Sequence, residues 1–223
     1  MNSYNRGVLI GMVLGDGCIH PKRHILKNGE KKIYHELSIK HSKKQEAYLE
    51  HKRDLFHSIM GGRPPNIRRT VTKLGNRQHD MVQFSKQHKY FTLLYRWIYP
   101  NNKKTYTRRV LDYLNPQGIA LWYKDDGTLI KCKNKAGKVS SVEMRICTFC
   151  SSEEADTILE YFNEVYGILA KKRHCKKTDA YYIAFNTKES KQLELLIKPY
   201  MTESMYYKLP SKWVTRAQRA VIE

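Results

Sequence analysis

Two stretches of the chain are apolar on nearly every side, residues 8–14 (VLIGMVL) and 119–123 (IALWY). A helix without a polar face is buried on most sides, so both are expected at the centre of the fold. Each runs into an Asp-Gly pair, at Asp16-Gly17 and at Asp126-Gly127, and the two copies lie half a chain length apart. The segments after each pair repeat as well. Basic, strand-like stretches come next, over 19–40 and 128–148. Helix-like stretches opened by Ser42 and Ser151 come after them, and Ser42 with Gln45, like Ser151 with Glu154, has capping-box spacing. Beyond Gly61-Gly62 and Gly167 lie second pairs of basic strands, over 66–73 and 79–86 in one half and over 168–177 and 180–186 in the other. Each half closes on an apolar helix, over 91–98 and 192–197, with Pro100 and Pro199 at or just past its end, where a helix must stop. The pattern predicts an α+β fold made of a tandem repeat of helix–strand–strand–helix–strand–strand–helix. The first repeat is expected over 1–105, a linker over 106–117 and the second repeat over 118–223.

Charge narrows the partner. The chain carries 41 Lys+Arg against 21 Asp+Glu, a net charge of +20. With 41% hydrophobic and 11% aromatic residues it can bury a core, unlike a disordered basic tail. The basic residues are dispersed from Lys22 to Arg219, so a broad surface for a polyanion is expected, and nucleic acid is the first choice. An anionic membrane is a poorer fit, because there is no basic amphipathic helix with a strong apolar face. No apolar run reaches the length of a transmembrane helix. Residues 7–14 could pass for a short signal-peptide core, but Gly15-Asp16-Gly17-Cys18 is a poor cleavage site. Five cysteines, an odd number, argue against a disulfide framework and for a reducing compartment. Cys147 and Cys150, with His174 and Cys175 downstream, lack the second ligand pair of a structural zinc site. No phosphate-binding loop for ATP is present.

The chemistry falls on the two Asp-Gly corners. Gly11 and Gly15 share a helical face and would let another backbone come close. If the two apolar helices pack side by side, their ends bring Asp16 and Asp126 together. Two carboxylates at one spot repel unless a cation stands between them, and oxygen ligands suit Mg²⁺, Mn²⁺ or Ca²⁺. A divalent ion on a nucleic-acid surface is the setting for phosphodiester hydrolysis. Asp125 adds a carboxylate in the second copy only, opposite Gly15 in the first, and its side chain is read as secondary.

At these residues the chain resembles the LAGLIDADG homing endonucleases, in their single-chain, two-motif branch. In the run 9–17, Leu9, Gly11, Asp16 and Gly17 keep the motif, whereas Leu14 and Gly15 depart from it; 118–127 resembles the second motif, with Leu121 in place of its glycine. The likeness extends to 101–105 (NNKKT), 113–116 (YLNP), 196–200 (LIKPY) and 207–210 (YKLP), and so covers most of the chain. The resemblance implies αββαββα halves joined at the motif helices, with two four-stranded antiparallel sheets forming a saddle over duplex DNA. It implies metal binding by Asp16 and Asp126, aided by the backbone carbonyls of Gly15 and Asp125. Lys104 and Lys208 would assist catalysis, and Mg²⁺ would be the cofactor, with Mn²⁺ able to substitute. The function expected is site-specific double-strand cleavage of DNA by a monomer that needs no protein partner. Since the chain opens at Met and shows no protein-splicing block, it is read as intron-encoded or free-standing. An intron RNA maturase and a non-cleaving DNA-binding regulator are the alternatives. The two intact acids weigh against the regulator.

Strand alternation places the readers of the site. Residues two apart share a face, which sets Tyr34, Glu36, Ser38 and Lys40 opposite Ile33, Leu37 and Ile39, and Glu143 and Arg145 opposite Val142, Met144 and Ile146. Lys40, Arg68, Thr70, Thr72, Arg145, Lys171, Lys172, Arg173 and Lys177 are the expected DNA contacts. Arg68 and Arg145 are assigned to guanine edges, and Lys172 and Lys177 to phosphates.

Overall fold

The computed structural model describes residues 1–75 and 77–212. Residues 213–223, which include the expected end of the second repeat, lie outside the described residues. The first half runs α1 (Ser3–Leu14), β1 (Gly17–Ile25), β2 (Lys31–Ser42), α2 (Glu46–Met60), β3 (Arg68–Leu74), β4 (Arg77–Gln87), α3 (Tyr90–Ile98). A short helix α4 (Arg108–Leu111) leads to the second half: α5 (Pro116–Asp126), β5 (Gly127–Lys133), β6 (Val139–Cys150), α6 (Ser152–Tyr166), β7 (Lys171–Cys175), β8 (Ala180–Phe185), α7 (Thr187–Ile197). Both sheets are four-stranded and antiparallel, ordered β1-β2-β4-β3 and β5-β6-β8-β7. The α+β tandem architecture expected from the repeat is what the chain adopts. No helix among the described residues is long and apolar enough to cross a membrane.

Helices α1 and α5 start alike. The Asn2 side chain accepts from the Asn5 N–H, and the Asn115 side chain accepts from the Gly118 N–H with Pro116 in the first turn. These caps satisfy amide donors that the first helical turn leaves free. The two helices then meet backbone to backbone. A Cβ on Gly11 would stand 2.2 Å from the Gly118 carbonyl oxygen, and one on Gly118 would stand 2.4 Å from that of Gly7. Gly11 thus serves as expected, while its partner is Gly118 and not a residue at the level of Leu121, whose side chain is buried in the core.

Three details differ from expectation. Ser151 and Glu154 form the capping box, but Ser42 and Gln45 do not. Ser42 accepts instead from the Lys44 N–H and opens a 3₁₀ turn, Gln45 hydrogen-bonds the His41 ring, and α2 starts at Glu46. Helix α7 starts at Thr187, ahead of its apolar run, because the first inward residue of its buried stripe (Ser190, Leu193, Glu194, Ile197) is polar. The stretch 106–117 is packed into the molecule: Val110 and Leu111 are buried, and Glu154 accepts from the Tyr106 N–H.

Each sheet turns one face to helices and leaves the other open. His35, Leu37, Ile39 and His41 of β2 are buried, as are Val142, Met144 and Ile146 of β6, while the alternate residues are partly exposed. The helix contact sets the whole arrangement, so Gly11→Ala should overpack it. The expected loss is about 1–3 kcal/mol, read as a fall in the thermal midpoint of roughly 2–4 °C per kcal/mol.

Candidate active site

The ends of α1 and α5 emerge together between the two sheets. Asp16 follows α1 with its side chain 43% exposed, and Asp126 is the last residue of α5. Burial pushes the Asp126 carboxyl up to about 7, with the charges of Asp125 and Asp16 adding to the shift. Asp16 is also raised, first by burial and then by Asp125, while Lys52, Lys104 and Lys208 oppose the shift. Two half-sheltered acids that disfavour their own ionised forms fit a divalent cation, which would stabilise both carboxylates.

Lys104 and Lys208 each reach the end of one motif helix. The Lys104 Nζ donates to the carbonyl oxygens of Gly15 (2.8 Å), Gly17 (3.2 Å) and Leu14 (3.3 Å). The Lys208 Nζ donates to those of Lys124 (2.7 Å) and Asp125 (3.3 Å). Each ammonium therefore caps the end of one motif helix, where carbonyls lack helical partners and the dipole favours a cation. Burial pulls both lysines down; Asp126 is the foremost opposing charge at Lys104, and Asp125 followed by Asp16 at Lys208. The Gly15 and Asp125 carbonyls expected beside the metal are thus bonded to lysines here.

The Asp125 side chain has partners of its own. It is 0% exposed and forms an ion pair with Lys52, equally buried. The Lys52 Nζ donates to both carboxylate oxygens, at 2.5 and 2.6 Å, the Tyr48 hydroxyl donates at 2.9 Å, and the Asp16 N–H donates at 2.9 Å. The third Lys52 hydrogen bond goes to the His41 Nε2 at 3.2 Å, and the His41 Nδ1 stands 3.3 Å from Asp16 Oδ2. Burial, then Lys52, pulls His41 down to about 4, so the ring is neutral. Asp16, His41 and Asp125 offer ligand atoms within 4.8 Å of one another. Even so, an Asp125 carboxylate saturated by four hydrogen bonds with an ammonium between it and His41 is no cation site. Among the described residues, Asp16 and Asp126 keep carboxylates that no lysine pairs with directly, whereas that of Asp125 is taken up.

Sequence reasoning missed this cluster, although two signals were there. Lys52 lies on the buried stripe of α2 with Tyr48 and Phe56, one turn from each. Gly15 and Asp125 are complementary departures from the repeat: a Cβ on Gly15 would stand 2.2 Å from Asp125 Oδ2.

The open sheet faces carry most of the expected DNA contacts. Lys40 and Arg68 both pair in register with Gln83, so the three lie side by side, and the Lys40 Nζ donates to the Thr72 hydroxyl at 2.7 Å. Thr70 shares that face with Arg68, whereas Arg69 turns back to Glu46. In the second sheet Arg145 and Lys171 both pair with Ala184, and Arg173 pairs with Tyr182. Arg145 bonds Glu143 at 2.5 Å and lies over the Tyr182 ring. Lys177 is exposed on the turn after β7. Lys172 departs from expectation. Strand alternation aims it at α6, where its Nζ donates to Asp156 (2.6 Å) and Ser152 (2.9 Å), away from the open face.

Paired motif helices, twin acids at their ends and two open basic sheets define a class, and the chain's relatives agree with it. A profile of the LAGLIDADG DNA endonuclease family matches residues 6–193, and the chain belongs to that family. It is 28% identical over 205 residues to the probable intron-encoded endonuclease 1 of Wickerhamomyces canadensis, covering 90% of this chain and 81% of that one. It is 27% identical over 206 residues to Protein RecA of Mycolicibacterium flavescens, covering 91% of this chain but 45% of the relative, so the chain spans less than half the length of the RecA relatives it matches. The solved homing endonuclease I-WcaI, bound to its DNA recognition sequence, shares the fold with a TM-score of 0.70 at 23% identity, over 93% of this chain and 86% of that one. I-GzeII in complex with its DNA target shares it with a TM-score of 0.53 at 10% identity.

The raised Asp126 pKa has a consequence for stability. The folded chain holds that proton up to about pH 7, while an unfolded aspartate releases it near its ordinary value of 3.8. Without metal, the fold therefore loses stability as pH rises between those values. Asp126→Asn should raise the metal-free thermal midpoint by a few degrees at pH 8 and leave it unchanged near pH 4, as measured by scanning calorimetry with chelator present.

Proposed function

We propose that the chain is a site-specific endonuclease that hydrolyses one phosphodiester bond in each strand of duplex DNA, with Mg²⁺ as its metal and Mn²⁺ as a substitute. The observation that carries this reading is the meeting of Asp16 and Asp126 at the ends of α1 and α5, flanked by Lys104 and Lys208, between two open basic sheet faces. The proposed repeats, 1–105 and 118–223 about a linker at 106–117, each supply one acid, one lysine and one sheet.

A divalent ion bound there would neutralise charge on the scissile phosphate and make its bound water more acidic. The protein's own residues do the rest. Asp16 and Asp126 would hold the metal, each acid serving the cut of one strand. Lys104 and Lys208, already pointed at the helix ends, stabilise the charge that builds on phosphorus oxygens as water adds. The new bond joins phosphorus to the water oxygen, the bond to the leaving sugar oxygen breaks, and that oxygen takes up a proton. Lys40, Arg68, Thr70, Thr72, Arg145, Lys171, Arg173 and Lys177 lie along the duplex, with Lys172 left to its helix contact. The single chain carries both motifs, so it acts as a monomer. Relatives named as intron-encoded endonucleases support the intron-homing reading.

The test begins with a library of duplex targets incubated with the chain and Mg²⁺, the cut ends being sequenced. Asp16→Asn and Asp126→Asn should each lose double-strand cleavage by roughly 100-fold or more while binding the same duplex in Ca²⁺. Cleavage of both strands at the wild-type rate by either variant would overturn the two-acid assignment. A structured-RNA arm without DNA cleavage would point to the maturase instead.

Arg145 tests the reading of the open face. Arg145→Ala should relax base preference at one or two positions in one half of the site, by roughly 1–3 kcal/mol of discrimination. This is measured by binding to single-base site variants. A uniform loss with a shallower salt slope would show that it contacts phosphate.

A further inference from the structure

The repeat is symmetric in its elements but not behind its acids. Lys52 is the seventh residue of α2, and the seventh residue of α6 is Ile158. His41 lies two residues beyond Ile39, the register partner of Gly17; the matching position, two beyond Ile146, the partner of Gly127, is Thr148. Asp125 is matched by Gly15. The second half therefore has no counterpart to the chain of contacts that runs from Asp125 through Lys52 and His41 to Asp16.

The direction of that chain is fixed by donor chemistry. An ammonium can only donate, so the His41 Nε2, 3.2 Å from the Lys52 Nζ, accepts. The ring proton is then on Nδ1, which stands 3.3 Å from Asp16 Oδ2, and the Gln45 side chain also hydrogen-bonds the ring. The ring has little freedom to turn: its side chain is 1% exposed, it packs against Tyr48, and Lys52 spends its two remaining hydrogen bonds on Asp125. Asp16 is held a second time from the same source, since its backbone N–H donates to Asp125 Oδ2.

We infer that His41 is a positioning residue for Asp16: its Nδ1–H, set by Lys52 and Asp125, orients the first-motif carboxylate, so that the strand cut at Asp16 depends on this relay and the strand cut at Asp126 does not. The inference rests on the endonuclease reading. A metal-binding carboxylate commonly needs such a partner to fix which oxygen faces the ion, and loss of the partner typically weakens metal affinity or rate by about 10–100-fold. Here the partner serves one half of a double-strand reaction.

Two substitutions separate the roles of the ring. His41→Asn places an amide N–H near the position of Nδ1 but loses the Lys52 contact. His41→Gln keeps a group near Nε2 but offers no donor to Asp16. With each strand of the target end-labelled separately, His41→Gln should slow one strand by roughly 10-fold or more and leave the other within about twofold. Nicked duplex should accumulate, with affinity for the duplex in Ca²⁺ unchanged. His41→Asn should restore most of the slowed strand's rate. Equal slowing of both strands, or wild-type rates for His41→Gln, would overturn the inference.

A second measurement needs neither cleavage nor a variant. Nitrogen-15 NMR of the metal-free protein should show the His41 ring as the neutral Nδ1–H tautomer, and a proton on Nε2 would overturn the relay. If the wild-type chain cuts no DNA, the endonuclease reading fails, while the tautomer still decides whether His41 is built to hold Asp16.

Discussion

The backbones of α1 and α5 touch where side chains would normally keep two helices apart. A Cβ on Gly11 would stand 2.2 Å from the carbonyl oxygen of Gly118, and Gly7 meets the Tyr113 carbonyl equally closely. Helices more commonly pack with their axes roughly 8–10 Å apart, and their ends would then splay. Here close contact along the helices lets their ends deliver Asp16 and Asp126 to one place. The same contact sets where the sheets go, because β1 begins at Gly17 and β5 at Gly127, each directly after its acid.

Bringing acids together concentrates negative charge, and much of the surrounding chemistry answers that. Three lysines oppose the upward shift of Asp16. Lys104 and Lys208 reach the site over helix-end carbonyls, which draw them in without neutralising the acids. Lys52 is different, because it is buried with Asp125 and has no exposed surface. Such a pair adds little net stability over an apolar packing of the same volume, yet removing one partner strands a buried charge. What it supplies is geometry, because it ties α2 of the first half to α5 of the second directly beneath Asp16.

That tie breaks the twofold character of the molecule. A dimer of identical subunits would have to repeat the cluster, whereas a single chain is free to build it once. The space for the Asp125 carboxylate exists because residue 15 is a glycine, so the two departures from the repeat form one feature seen from its two sides. The open sheet faces differ as well. The first sets Lys40, Gln83 and Arg68 abreast, while the second seats Arg145 between Glu143 and Tyr182.

The tandem α+β repeat, the two motif helices, their Asp-Gly corners and the basic strands are all legible in the amino-acid order. These rest on local periodicity and spacing, properties that a chain carries before it folds. The faces of Arg145 and of Arg68 belong with them, since alternation along a strand is local too. Packing, by contrast, decided that Ser42 opens a 3₁₀ turn and that Gly118 is the partner of Gly11. The Asp125–Lys52–His41 cluster belongs to the same group. Its members lie far apart in the sequence, and a lysine on an apolar stripe or a second aspartate beside a first has no meaning until its partner is known. Charge pairing in a buried site is decided by which groups meet once water is excluded, and that meeting is a property of the packed halves and of neither half alone.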